Sequence, residues 1–122
     1  SEAALEGLEV GARLLLERGA NPNLADPYEF KTPLMAAADA GHASIVCLLV
    51  AHGARVDDAD DYGETALCRA ASRGHVAVVR ALLDAGADPR KEGELGTPCA
   101  VVAGRWPEVL ALLHAALQRD AP

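Results

Sequence analysis

Apolar residues in this chain come in short bursts at helical spacing, separated by glycines and polar stretches. Leu34, Ala37 and Ala38 recur at three- and four-residue steps and mark one face of a helix. Thr32 stands ahead of it as an N-cap, and Pro33 takes the first helical position, where a missing N–H costs nothing. Gly41 ends the helix, as a glycine in the left-handed region does. Ile45, Val46, Leu48 and Leu49 give a second helical face, closed by Gly53. A polar stretch from Asp57 to Glu64 follows, and Asp60-Asp61-Tyr62-Gly63 within it fits a type I β-turn. Helices of about 8–10 residues do not persist alone in water, so neighbours must hold them.

The same pattern returns along the chain. Thr32-Pro33-Leu34 recurs as Thr65-Ala66-Leu67, Gly41-His42 as Gly74-His75, and Gly53-Ala54 as Gly86-Ala87, each after 33 residues. Gly19-Ala20 precedes Gly53-Ala54 by 34 residues, and Thr97-Pro98 follows Thr65 by 32. A fixed period of this length predicts a stack of helix–turn–helix units in which rows of alanine let neighbouring helices approach closely.

The stretches Lys31–His42 and Gly63–His75, with Leu48–Ala54 and Ala81–Asp88, resemble the ankyrin-repeat signature over almost the whole chain. The resemblance implies an all-α ankyrin-repeat solenoid, a single domain of about four units joined by β-hairpin fingers. The units run approximately over residues 1–26, 27–59, 60–92 and 93–122. In the first, Ala3-Ala4 and Gly7 align with Ala37-Ala38 and Gly41, and Ser1 aligns with Met35. The capping Thr-Pro-Leu therefore has no counterpart, which predicts a truncated first unit excised from a longer protein. The last unit has no glycine in the place of Gly41 and Gly74 and ends in polar residues, which predicts a C-terminal cap. The family's usual His after Thr-Pro-Leu, which ties adjacent units, is replaced by Met35, Cys68 and Ala100. The first hairpin carries one extra residue, around Asp26–Phe30, and the third, Lys91–Gly96, is one short.

Composition narrows the function. The chain has 122 residues, 51% hydrophobic and 24% charged, the balance of a folded domain. A net charge of −7 argues against nucleic acid or an anionic membrane as partner. No apolar run approaches the ~18 residues of a membrane helix, and no secretory leader pattern opens the chain. Cys47, Cys68 and Cys99 are an odd number without a CxxC pair, which reads as free thiols packed as small hydrophobes in the cytoplasm or nucleus.

Catalytic signals are weak. His42 and His75 are separated by the repeat step, which favours a structural role over a metal pair. A calcium loop starting at Asp58 fails, because Tyr62 and Arg69 fall where ligands are needed. Cys68 lacks an orienting acid or an oxyanion site. No enzyme, metal or cofactor is expected.

A binding surface is better supported. Aromatics are only 3% of the chain, and all four lie in loops: Tyr28 and Phe30 on the first hairpin, Tyr62 on the second, Trp106 between the last two helices. Tyr28 and Tyr62 are favoured contact anchors, whereas Phe30 also fits a staple for its hairpin and Trp106 a seal for the last repeat. Ankyrin proteins commonly bind through hairpin tips and the concave face of their first helices. Position by position, this resemblance implies hairpin contacts at Tyr28, Glu29, Lys31, Asp61, Tyr62, Glu64, Glu94 and Leu95. Helix contacts fall at Ala36, Asp39, Ala40, Arg69, Ser72, Arg73, Val101 and Arg105. Residues Arg55–Glu64 carry five acids against one Arg, a local net of −4, beside Arg69 and Arg73 one helical turn apart. An acidic rim next to a basic step suits an extended peptide with Lys or Arg at one point. The expected function is thus a non-catalytic, monomeric module that binds a protein or extended peptide. The alternative is an enzyme inhibitor, because Gly19–Pro27 is similar to a segment of the small ankyrin inhibitors of cyclin-dependent kinases. The acid those inhibitors carry on the following helix falls here at Ala36, which weighs against that alternative.

Overall fold

The computed structural model describes residues 2–93, 96–102 and 105–119. Side chains of residues 2–5, 99 and 101 are outside that description, as are Glu94 and Leu95. The order of elements is α1 (Glu2–Glu17), α2 (Pro33–Ala40), α3 (Ala43–Ala51), α4 (Ala66–Arg73), α5 (Val76–Asp84), α6 (Pro98–Val102) and α7 (Pro107–Arg119). They form two rows. The first helices α2, α4 and α6 pack in sequence, and α1, α3, α5 and α7 pack in a second row beside them.

Local chemistry starts and stops these helices as the sequence predicts. Thr32, Thr65 and Thr97 each accept a hydrogen bond from the amide three residues on, at 3.3, 3.2 and 3.3 Å. Gly41 and Gly74 close α2 and α4 in the left-handed region, with φ of 77° and 73°. The next amides, of His42 and His75, return to the carbonyls of Ala37 and Ala70, both at 3.0 Å, completing Schellman motifs.

The core is a strip of small and branched residues between the two rows. Ala38, Ala70 and Ala71 are fully buried and let the first helices approach, while Val46, Val78, Leu82, Val109 and Leu113 fill the space beneath. Met35 and Cys68, standing where the family tie is absent, are both 1% exposed. Adjacent units are tied elsewhere. Asn23 accepts from the Arg55 amide at 2.7 Å, and Asp57 accepts from the Asp88 amide at 2.9 Å.

Two expectations are corrected. Gly7 does not end a helix: α1 runs through it without a break for 16 residues. Cys47 is exposed on α3, because its position turns away from the core, whereas Cys68 is buried. Cys99 lies outside the described side chains.

The fingers between the helix pairs are tight turns with few ladder bonds. In the first, the Asp26 amide reaches the Lys31 carbonyl at 2.9 Å and the Asp26 carboxylate accepts from the amides of Tyr28 and Glu29. In the second, the Gly63 amide donates to the Asp60 carbonyl at 3.0 Å, the bond of the expected β-turn. The third shows one antiparallel bridge, Gly93 with Gly96.

Candidate functional site

The stack brings most of the sequence-predicted contact residues to one side. Adjacent fingers are coupled, because the Asp61 amide donates to the Glu29 carbonyl at 3.0 Å. On these tips Tyr28 is 86% exposed, Tyr62 60% and Phe30 55%. Phe30 also sits in the left-handed region at φ 59°, a conformation a bulky residue seldom adopts. Glu29 and Asp61 are exposed beside them, and their side chains make no ion pair or hydrogen bond among the described residues.

Behind the tips lies a charge cluster. Asp39 on α2 receives Lys31 at 2.8 Å, Arg69 at 2.9 Å and Arg73 at 3.1 Å. Arg69 also pairs with Asp60 of the second finger, whose side chain is 1% exposed. Asp60 in turn accepts from the amides of Tyr62 and Glu64 at 3.0 and 2.9 Å, so one carboxylate shapes the finger and anchors it to α4. Burial raises the Asp39 pKa, but Lys31, Arg69 and Arg73 together outweigh it and hold the carboxyl below the usual range. Burial likewise opposes the charge on Arg69, and Asp60 and Asp39 more than restore it. The Arg69 Nε–H is buried without an acceptor, so the cluster is not fully satisfied. Three cations meet two acids here, leaving positive charge in the groove beside negative charge at the tips.

Trp106 has a packing task. Its ring lies against Gly74, where an added Cβ would come within 2.5 Å of it, and its Nε1–H donates to the Ser72 carbonyl at 3.3 Å. His75 does the same one unit earlier. Its ring lies over Gly41, and its Nε2 is 2.9 Å from the Asp39 carbonyl. Arg105, exposed, stacks over the Trp106 ring at 5.5 Å. Ser72 is half-buried, with its hydroxyl donating to the Arg69 carbonyl at 2.9 Å, and Arg73 is largely exposed. Sequence reasoning missed the hub role of Asp39 and the inward use of Arg69, because their partners lie up to 34 residues away.

Among the described residues no cluster of His, Cys, Asp and Glu could hold a metal ion, and no helix is long and apolar enough to cross a membrane. Burial pushes the Cys68 thiol up, and the Thr65 hydroxyl and amide only partly offset this. Iodoacetamide at pH 7.5 is therefore expected to alkylate Cys47 in the folded protein and to spare Cys68 until denaturant is added. Peptide mapping by mass spectrometry reads the difference, and equal labelling of the two would contradict it.

Comparison with known proteins agrees with the geometry. A family model for ankyrin repeats (3 copies) matches residues 1–92. The B-cell lymphoma 3 protein homolog of Mus musculus is 34% identical over 94% of this chain and 25% of its own length. Human ankyrin repeat and SOCS box protein 16 is 42% identical over 81% of this chain, again 25% of its own length. The glycerophosphocholine phosphodiesterase gde1 of Schizosaccharomyces pombe is 45% identical over 52% of this chain, only 6% of that protein. The chain thus spans a quarter or less of these curated relatives. The crystal structure of the ankyrin repeat domain of Bcl-3, described as a unique member of the IkappaB protein family, superposes with a TM-score of 0.76. It has 36% identity over 84% of this chain and 44% of that one. With two rows of capped short helices, turn-like fingers and these matches, the chain belongs to the ankyrin-repeat family.

Proposed function

We propose that this chain is a non-catalytic module that binds a protein or an extended peptide across its concave groove and finger tips. The observation that carries this reading is the exposure of Tyr28 and Tyr62 on neighbouring fingers, joined backbone to backbone above a closely packed stack. Rings held on a rigid frame need little ordering when a partner arrives, which favours affinity. Glu29 and Asp61 beside them suit a partner with Lys or Arg near its aromatic contacts, and the charge left over at Arg73 suits an acid one step further in. Relatives whose names span a phosphodiesterase, a SOCS box protein and a ubiquitin ligase fit a shared recognition unit attached to different activities. The module acts as a monomer, and the free thiols of Cys47 and Cys68 favour the cytoplasm or nucleus.

The test is affinity capture with the folded protein, compared with a variant carrying Tyr28→Ala and Tyr62→Ala. Both rings are exposed, so circular dichroism should show an unchanged fold. Captured partners should fall by about tenfold or more, the scale of losing a contact anchor. Equal capture by a folded double variant would remove the tips from the binding surface.

A further inference from the structure

Phe30 stands where the backbone of its finger suits a glycine. The first two fingers close in the same way. In the second, the Gly63 amide returns to the Asp60 carbonyl and the Asp60 amide reaches the Glu64 carbonyl, both at 3.0 Å. In the first, the Phe30 amide returns to the Asp26 carbonyl at 2.8 Å and the Asp26 amide reaches the Lys31 carbonyl at 2.9 Å, around one extra residue. Phe30 lies 33 residues before Gly63, the repeat step, and the two share a left-handed backbone, with φ of 59° and 76°. Every other positive φ among the described residues belongs to a glycine. The Cβ of phenylalanine makes that conformation costly, whereas glycine adopts it freely.

The ring does not offset this cost within the fold. It is 55% exposed, lies outside the core and the residues packed against it, and makes no aromatic or cation contact among the described residues. A staple for the hairpin would be covered by the hairpin. The turn is held instead by Asp26, whose carboxylate accepts from the Tyr28 and Glu29 amides and whose backbone makes both closing bonds. A left-handed backbone and an exposed aromatic ring thus meet in one residue, with no core packing against it. Strain of this kind is a signature of functional positions.

We infer that Phe30 is a contact residue that sets the specificity of the finger tips, an inference that rests on the binding function proposed above. Its occupant is a protein segment with an apolar side chain next to a Lys or Arg. Phenylalanine has no polar side-chain atom, so its ring offers a partner only apolar area, which an aliphatic or aromatic side chain matches. Glu29, the residue before it, is exposed and without an ion pair among the described residues, and it supplies the charge for the adjoining Lys or Arg. Lys31, the residue after it, does not neutralise that acid, because it is engaged by Asp39 at 2.8 Å. The Asp61 amide bonds the Glu29 carbonyl, so the second finger braces the first at this point. The ring is therefore held in place before a partner arrives.

A random linear peptide library displayed on phage, panned against the folded 122-residue protein, supplies the probe. Selected peptides are expected to carry an apolar residue adjacent to Lys or Arg, and a set without that pairing overturns the occupant. In calorimetric titrations with synthetic copies, Phe30→Gly and Phe30→Ala should each bind about tenfold more weakly or worse, while Phe30→Tyr keeps the ring and stays within about threefold. Stability should move the other way. Phe30→Gly relieves the backbone and should raise the thermal midpoint by roughly 3 °C, whereas Phe30→Ala retains the positive φ and should not raise it. A purely structural ring would not yield a variant that is both more stable and weaker in binding. A lower midpoint for Phe30→Gly would show that the ring staples the finger, and the inference would fall. It falls equally if the selected peptides bind Phe30→Gly as tightly as wild type. Where those same peptides still lose affinity to the Tyr28→Ala, Tyr62→Ala variant, the proposed function stands without Phe30. No selected peptide, or peptides indifferent to all three rings, would overturn both.

Discussion

Gly74→Ala is expected to unfold this protein at a temperature roughly 10 °C lower, while Gly86→Ala costs about half as much or less. Both glycines lie at positive φ, 73° and 93°, so each alanine bears the left-handed penalty of about 1–2 kcal/mol. The surroundings differ. An added Cβ at Gly86 meets nothing within 4 Å, whereas at Gly74 it lies 2.5 to 2.7 Å from three ring atoms of Trp106. The indole cannot retreat without giving up its bond to the Ser72 carbonyl and its packing at the last interface. Forcing it out adds about 1–3 kcal/mol, the usual cost of overpacking. Scanning calorimetry on the two variants reads the difference directly. Pairing Gly74→Ala with Trp106→Ala should recover part of the loss, and equal melting of the two glycine variants would show that the ring yields freely.

Asp60→Ala is the second large effect, a loss of about 3 kcal/mol in denaturant unfolding. The change removes two charge-assisted bonds that shape the finger and leaves the mostly buried Arg69 with Asp39 alone. Asp60→Asn keeps an oxygen for the Tyr62 and Glu64 amides but gives up the charge opposite Arg69, so it should fall between wild type and alanine. If asparagine and alanine cost the same, the charge is what matters and the turn bonds add nothing. The same cluster sets an acid limb. The Asp39 carboxyl has a folded pKa below its unfolded value, so its contribution is complete above the ordinary carboxylate range. It is lost as pH falls through the lower folded value. Urea midpoints measured from pH 6 down to pH 2 should therefore drop less steeply for Asp39→Asn than for the wild type.

These effects show which parts of the site could be read early. The aromatics Tyr28 and Tyr62 were legible as exposed because each lies in a polar stretch next to a turn signal, and exposure there depends on near neighbours. Arg69 was legible as a concave-face residue but not as the partner of Asp60 and Asp39, 9 and 30 residues away. Trp106 carries the same lesson. A tryptophan in that loop reads as a contact anchor or as a seal for the last repeat, and the register that its ring continues from His75 is visible only when Gly41 and Gly74 are seen beneath the two rings.

The amino-acid sequence alone determined the period, the caps and the stops of the helices. Thr32, Thr65, Gly41 and Gly74 act on atoms within a few residues, and such short-range chemistry is the same wherever the chain goes. Tertiary packing decided two further points: that Arg69 turns inward and that Trp106 takes the place of a histidine. Each of those outcomes depends on what lies across an interface from a residue, and a repeat written along one dimension does not say which neighbour is present.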